Sequence, residues 1–167
     1  DVWAANGLND SLASAAASMT IDGKKWGVPY TYYNWGVYYR QDIFEANNIE
    51  VPTDWAGLMA AGETLKAAGV TPITIGTKYL WTAGGVFDYL NLRTNGYDFH
   101  MALTKGEVSW TDDRVRATMA NWKELIDADF FLADHAAYSW QEAVAPMIQG
   151  KAAMYVMGNF VVAPLRD

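Results

Sequence analysis

Residues 30–40 read YTYYNWGVYYR, with five tyrosines and one tryptophan in eleven positions. Such rings pair an apolar face with a polar tip. A pyranose offers the complement. One of its faces is made of C–H groups, and its edge carries hydroxyls. Each hydroxyl buried without a partner costs about 1–3 kcal/mol. Rings beside small polar groups therefore suit a carbohydrate. For any one ring, core packing is the competing explanation. For the run as a group, packing alone is harder to accept. Strand alternation places Tyr30, Tyr32 and Tyr38 on one face and Tyr33, Trp35 and Tyr39 on the other.

Other chemistries find less support. A glycosidase needs two carboxylates flanking a bond, and Asp98, Glu107, Asp134 and Glu142 are available. Glu142 is better explained by the capping box Ser139-x-x-Glu142, and Asp134 by a solvated polar loop. The chain has no cysteine, and no Gly-x-Ser-x-Gly elbow for a nucleophile. His100 and His135 are the only histidines, and both read as ordinary loop residues. No ligands cluster at metal spacing, and "TDDR" reads as a helix cap. The glycines match neither phosphate-cradling nor dinucleotide patterns. No cofactor is implied.

Composition narrows the classes further. The 167 residues are 51% hydrophobic, enough for one packed domain. Eight tryptophans and ten tyrosines exceed what a core needs, because each carries a polar atom that must be partnered. Net charge is −7, and the twelve basic residues form no run. That argues against a nucleic-acid footprint and against a polybasic membrane anchor. No apolar stretch approaches the roughly 20 residues that span a bilayer. The opening DVWAANGLND lacks the pattern of a secretory signal. The signal of a secreted parent is therefore expected outside this sequence.

The positioning elements read as alternating strands and helices. Residues 9–18 form an Ala-rich helix capped by Asn9 or Asp10. Asp22-Gly23 is a turn, and Trp26–Tyr30 begins a strand that runs on to Tyr39. A short helix covers QDIFEANN. Thr53 caps the next helix, with Trp55, Leu58, Met59, Gly62 and Leu65 on its inner face, and Gly69 ends it. TPITIG is a strand. LWTAGGVFDYLNLRTNG is an apolar helix closed by Gly96. Asp112 caps a helix whose inner stripe is Val115, Met119, Trp122 and Ile126. KAAMYVMG is the last strand, and NFVVAPL starts a further helix. The pattern predicts an α/β domain, a mixed sheet flanked by helices.

These residues resemble the extracellular solute-binding proteins of family 1, the sugar-binding components of ABC importers. The resemblance rests on DGKKWGVPY, the aromatic strand ending in YYRQDIF, VPTDW, AGVTPI, WTDDRVRATMANWKELIDADF and MIQGKAAMYVMGNF, in that order. It covers nearly the whole chain. One departure is Arg40, which stands where the family carries Asn. The resemblance implies a class II periplasmic-binding-protein-like lobe. Residues 1–35 would be the tail of the N-terminal lobe and the hinge-crossing strand. Residues 36–167 would be most of the second lobe. It implies ligand contacts from Tyr32, Tyr33, Asn34 and Trp35, from Tyr79 and Trp81, and from Gly158, Asn159 and Phe160. Trp140 and Asp98 are lesser candidates. Phe160 stands where many members stack a Trp, and Phe can stack without donating a hydrogen bond.

The resemblance also implies a non-enzymatic role. A mono- or oligosaccharide would be held in an interlobe cleft and delivered to a membrane permease. The setting would be periplasmic or extracellular, soluble or lipid-anchored. A glycan-active enzyme and a sensor-coupled sugar-binding module are the alternatives. Tyr38 or Tyr39 should be enclosed by the domain, while Tyr33 and Trp35 border an open face. Family members are longer, so the sequence is expected to be part of a two-lobe protein. By itself it should bind sugar weakly or not at all, and strong binding in titration calorimetry would contradict this.

Overall fold

The computed structural model describes residues 2–166. The chain divides into two compact units, Asp1–Asn34 and Trp35–Asp167.

In the first unit, α1 (Val2–Ala5), α2 (Leu8–Ser11) and α3 (Ala13–Ala16) are single turns, succeeded by a 3₁₀ turn at Ala17–Met19. The continuous helix expected over residues 9–18 is broken at Leu12, whose φ is −120°. Gly7 and Leu12 stand at the N-caps, without side-chain caps, in place of Asn9 or Asp10. A lone ten-residue helix is below the length that is stable in water, and Trp3 is the buried apolar residue of this unit. Its Nε1–H donates to the Gly27 carbonyl at 3.1 Å. A hairpin joins β1 (Thr20–Ile21) to β2 (Lys24–Lys25). Asp22 and Gly23 both take positive φ, as such a two-residue turn requires. The strand expected from Trp26 to Asn34 does not form. Ring-rich sequence favours a strand only where a partner and a surface receive it. Here Tyr30 and Tyr32 are almost wholly exposed, and Pro29 has no N–H to donate.

The second unit is built on a mixed three-stranded sheet. Its strands are β3 (Trp35–Tyr39), β4 (Thr71–Thr74) and β5 (Ala152–Gly158), in the order β3-β5-β4. β5 lies in the centre, antiparallel to β3 and parallel to β4. Its near-continuous apolar run AAMYVMG suits a strand covered on both faces. Between the strands come α4 (Gln41–Ala46), α5 (Trp55–Ala67), α6 (Trp81–Asn95), α7 (Tyr97–Thr104), α8 (Asp113–Asp127) and α9 (Val144–Ile148). α10 (Val162–Arg166) comes after β5. One core joins Phe44, Leu65, Ile73, Leu125, Phe130 and Met154. A second joins Val144, Met147, Tyr155, Met157 and Val161. A third, between helices, holds Phe87, Phe99, Leu103 and Val115.

Several local expectations change. The cap of α5 is Asp54, not Thr53; its carboxylate accepts from the Gly57 N–H at 2.7 Å. On α8 the buried positions are Val115, Thr118 and Leu125, while Met119 and Ile126 are 44% and 56% exposed. Thr118 can be buried because its hydroxyl joins Asn91 and Asn95 in a closed hydrogen-bonded set. His100 lies in α7 rather than a loop, with its Nδ1 3.2 Å from the Asn91 amide nitrogen. Neither Tyr38 nor Tyr39 is fully enclosed, since β3 is an edge strand. Tyr38 is half-buried against the second core, and Tyr39 is 38% exposed.

Arg40 has a structural task. Its guanidinium donates to the Met147 and Ile148 carbonyls at the end of α9 and grips Asp42 through two bonds. A cation at a helix C-terminus opposes the helix dipole. The hydrogen-bonded Arg40 also holds the Asp42 carboxyl below its usual range.

The caps can be checked by substitution. Asp54→Ala should lower stability by about 1 kcal/mol in urea unfolding, whereas Thr53→Ala should stay within about 0.5 kcal/mol of the parent. The Asp112 carboxyl bonds the side chain and backbone N–H of Arg114, which holds its pKa at about 2. A depressed folded-state pKa gives stability above the unfolded value that is lost on acidification. The Tm difference between the parent and Asp112→Ala should therefore shrink as pH falls from about 4 to about 2.

Candidate ring site at one end of the sheet

Strand direction brings three chain segments to one place. The C-terminal ends of β4 and β5 coincide with the N-terminal end of antiparallel β3. Trp35 opens β3 and pairs with Gly158, the last residue of β5. Phe160 comes two residues later, in the 3₁₀ turn Asn159–Val161. The segment leaving β4 ends at Trp81, the first residue of α6.

The rings meet there. Trp35 and Trp81 have centroids 6.3 Å apart at 89°. Phe160 lies 6.5 Å from Trp35, 6.3 Å from Trp81 and 5.2 Å from Trp140. Trp81–Phe160 is tilted at 47° and the other pairs are edge-to-face. Edge-to-face pairs at such separations contribute about 0.5–1.5 kcal/mol each beyond burial. Phe160 is thus the hub, touching three tryptophans. Trp35, Trp140 and Phe160 also pack on the second core. Trp81 is 42% exposed, and Tyr79 and Leu80 beside it are 65% and 74% exposed.

Two glycines permit the close approach. A Cβ on Gly85, one turn beyond Trp81, would lie 2.3 Å from the Trp35 ring. A Cβ on Gly158 would lie 2.3 Å from the Phe160 ring. Neither contact leaves space for alanine. The surrounding polar groups brace the site. Thr82 Oγ1–H donates to the Gly76 carbonyl at 2.6 Å. The buried Tyr155 hydroxyl donates to the Trp140 carbonyl at 3.0 Å, and burial raises the phenol pKa above its usual value. Ser139 and Glu142 form the reciprocal capping box. The Ser139 backbone N–H, then its hydroxyl, then the Lys78 charge hold the Glu142 carboxyl low. These bonds commit Glu142 to closing the turn ahead of α9, which itself begins at Val144 with Ala143 at its N-cap and no side-chain cap.

The structure brings together Trp35, Trp81, Gly158 and Phe160, with Trp140 completing the cluster. Tyr79 and Asn159 sit exposed next to it in the chain. Tyr32, Tyr33 and Asn34 belong to the first unit, where they are exposed in a stretch without regular structure. Sequence reasoning missed Gly85 and Leu80. The Gly84-Gly85 pair inside an apolar helix was the available signal for the first.

Tyr39, expected to serve the core, instead borders a separate groove. The groove's volume is about 550 Å³, and Val37, Tyr39, Trp55, Leu58 and Tyr89 are among its lining residues. It continues the first core outward, and it contains none of the four clustered rings. The ring cluster is the more specific feature, because its members converge from four separated segments. Among the described residues no group of three or more His, Cys, Asp or Glu could hold a metal ion. Among them, too, no helix is long and apolar enough to cross a membrane.

Known proteins share this architecture. A curated relative, an uncharacterised ABC transporter extracellular-binding protein of Pyrococcus horikoshii, is 32% identical over 90% of this chain. The chain spans 36% of that relative's length. A solved bacterial solute receptor, described as having an exclusive preference for β-D-galactopyranose, superposes with a TM-score of 0.84. It is 31% identical, with 96% of this chain and 42% of the receptor covered. A structure described for xylan utilization by a thermophilic bacterium gives a TM-score of 0.90 at 29% identity, covering 99% of this chain and 42% of that one. The profile of the bacterial extracellular solute-binding proteins matches residues 1–167, and the chain belongs to that family.

Proposed function

We propose that this chain forms one wall of a carbohydrate-binding cleft in the solute-binding component of an ABC importer. The observation that carries the reading is the cluster of Trp35, Trp81, Trp140 and Phe160, with the Trp81 ring partly open to solvent. Apolar rings that are held rigidly and left partly uncovered match the C–H face of a pyranose. The galactopyranose named for one similar receptor and the xylan named for another similar structure support the same class of ligand. The ABC transporter designation of the curated relatives supports a permease partner, and the family description supports an extracellular or periplasmic setting.

In this reading residues 36–167 are most of a second lobe. Residues 1–35 are the tail of a first lobe and the irregular segment that crosses between them. Trp81 is the stacking platform, Phe160 and Trp35 support it, and Tyr79, Gly158 and Asn159 edge it. Tyr32, Tyr33 and Asn34 lie on the crossing segment. Sugar held on one lobe gains contacts from the other and shifts the open–closed equilibrium. The closed form is what the permease receives. No bond in the sugar is made or broken.

Of the two expectations for this chain by itself, weak binding or none, the partly open Trp81 face favours weak binding, at millimolar strength, which saturation-transfer NMR detects. With xylobiose, laminaribiose and N,N′-diacetylchitobiose as probes, at least one should receive magnetisation at its ring C–H protons. Trp81→Ala should reduce that transfer at least about fivefold, since the loss of a stacking ring costs on the order of 1 kcal/mol or more. No transfer to any probe, or transfer unchanged in Trp81→Ala, would overturn the reading.

A further inference from the structure

Leu80 occupies a conformation that its side chain does not favour. Its φ and ψ are 63° and −28°, in the left-handed region. The Trp81 N–H donates across it to the Tyr79 carbonyl at 2.8 Å, so Tyr79–Leu80–Trp81 is a γ-turn of the strained kind. Glycine or asparagine would adopt it at lower cost than leucine. The turn is held from both sides. The Leu80 N–H donates to the Thr77 carbonyl at 2.9 Å, and the Ala83 N–H donates to the Leu80 carbonyl at 3.0 Å. Thr77 is tied in turn to His135 at 2.7 Å.

The strain yields no internal packing. Leu80 is 74% exposed, more than any other large apolar side chain described in the second unit. Tyr79 and Trp81, its neighbours, are 65% and 42% exposed. A rigid, strained turn that pushes three apolar side chains into solvent next to a ring cluster is built to meet something. Trp81 alone offers a face the size of one pyranose. Leu80 and Tyr79 directly precede Trp81 in the chain, so two further exposed apolar side chains adjoin that ring.

We propose that Leu80 is a specificity-determining contact of the ring site, covering a second pyranose so that the site prefers a disaccharide to a monosaccharide. This rests on the carbohydrate reading above. The test compares the parent with Leu80→Asn, Leu80→Gly and Trp81→Ala. Each is titrated by NMR with xylose and xylobiose, glucose and laminaribiose, and N-acetylglucosamine and N,N′-diacetylchitobiose.

Both Leu80 variants should raise Tm, by about 3 °C for the asparagine, because the left-handed turn no longer carries a leucine. Disaccharide Kd should rise about fivefold while monosaccharide Kd stays unchanged. A Tm that falls in both variants would make Leu80 a folding residue and overturn the proposal. So would an unchanged disaccharide affinity, or an equal loss for both sugar lengths. If Trp81→Ala leaves sugar binding intact, or no sugar binds the parent, the carbohydrate reading itself falls and Leu80 falls with it. Loss in Trp81→Ala with no effect at Leu80 removes only the present inference.

Discussion

The pairing of Trp35 with Gly158 governs where every ring of the cluster stands. β5 is central and covered on both faces, so its side chains have fixed places. β3 joins it in one register, and a slip by one residue would turn the Trp35 ring to the opposite face. In the register observed, Trp35 reaches α6 at Gly85, while Gly158 leaves the room that Phe160 fills. Register, two glycines and three rings therefore form one constraint. Changing any of them displaces the others.

The layer beneath the rings makes them rigid. Val144, Met147, Tyr155, Met157 and Val161 form a closely packed floor for Trp35, Trp140 and Phe160. Tyr155 is fully buried with its hydroxyl partnered, and that bond fixes the Trp140 backbone. Arg40 fixes the end of α9, whose Val144 and Met147 belong to that floor. A binding surface set on strands and helix ends in this way loses little conformational entropy when a ligand arrives.

The alternation of strands and helices was legible in sequence, as were the caps at Asp112 and the Ser139–Glu142 box, because each rests on local chemistry. The strand from Trp26 to Asn34 was not, because ring content reports fitness for a sheet, and no partner strand receives these residues. On α8, apolar periodicity pointed to Met119 and Ile126. It could not show that Thr118 would be buried by bonds to Asn91 and Asn95, which lie 27 and 23 positions away. At the site, Trp35, Trp81 and Phe160 stood out as residues. Their meeting depended on strand direction and register, which no single segment carries. The strain at Leu80 was invisible, since nothing in its residue type announces a positive φ.

The competing location for a ligand is the groove bordered by Tyr39, Trp55 and Tyr89. A crystal structure of this chain soaked in xylobiose, laminaribiose or N,N′-diacetylchitobiose decides between the two places. Sugar density should lie flat on the exposed face of Trp81, beside Tyr79 and Leu80. Sugar density in the groove, with the Trp81 face bare, would contradict a ligand site built on the rings.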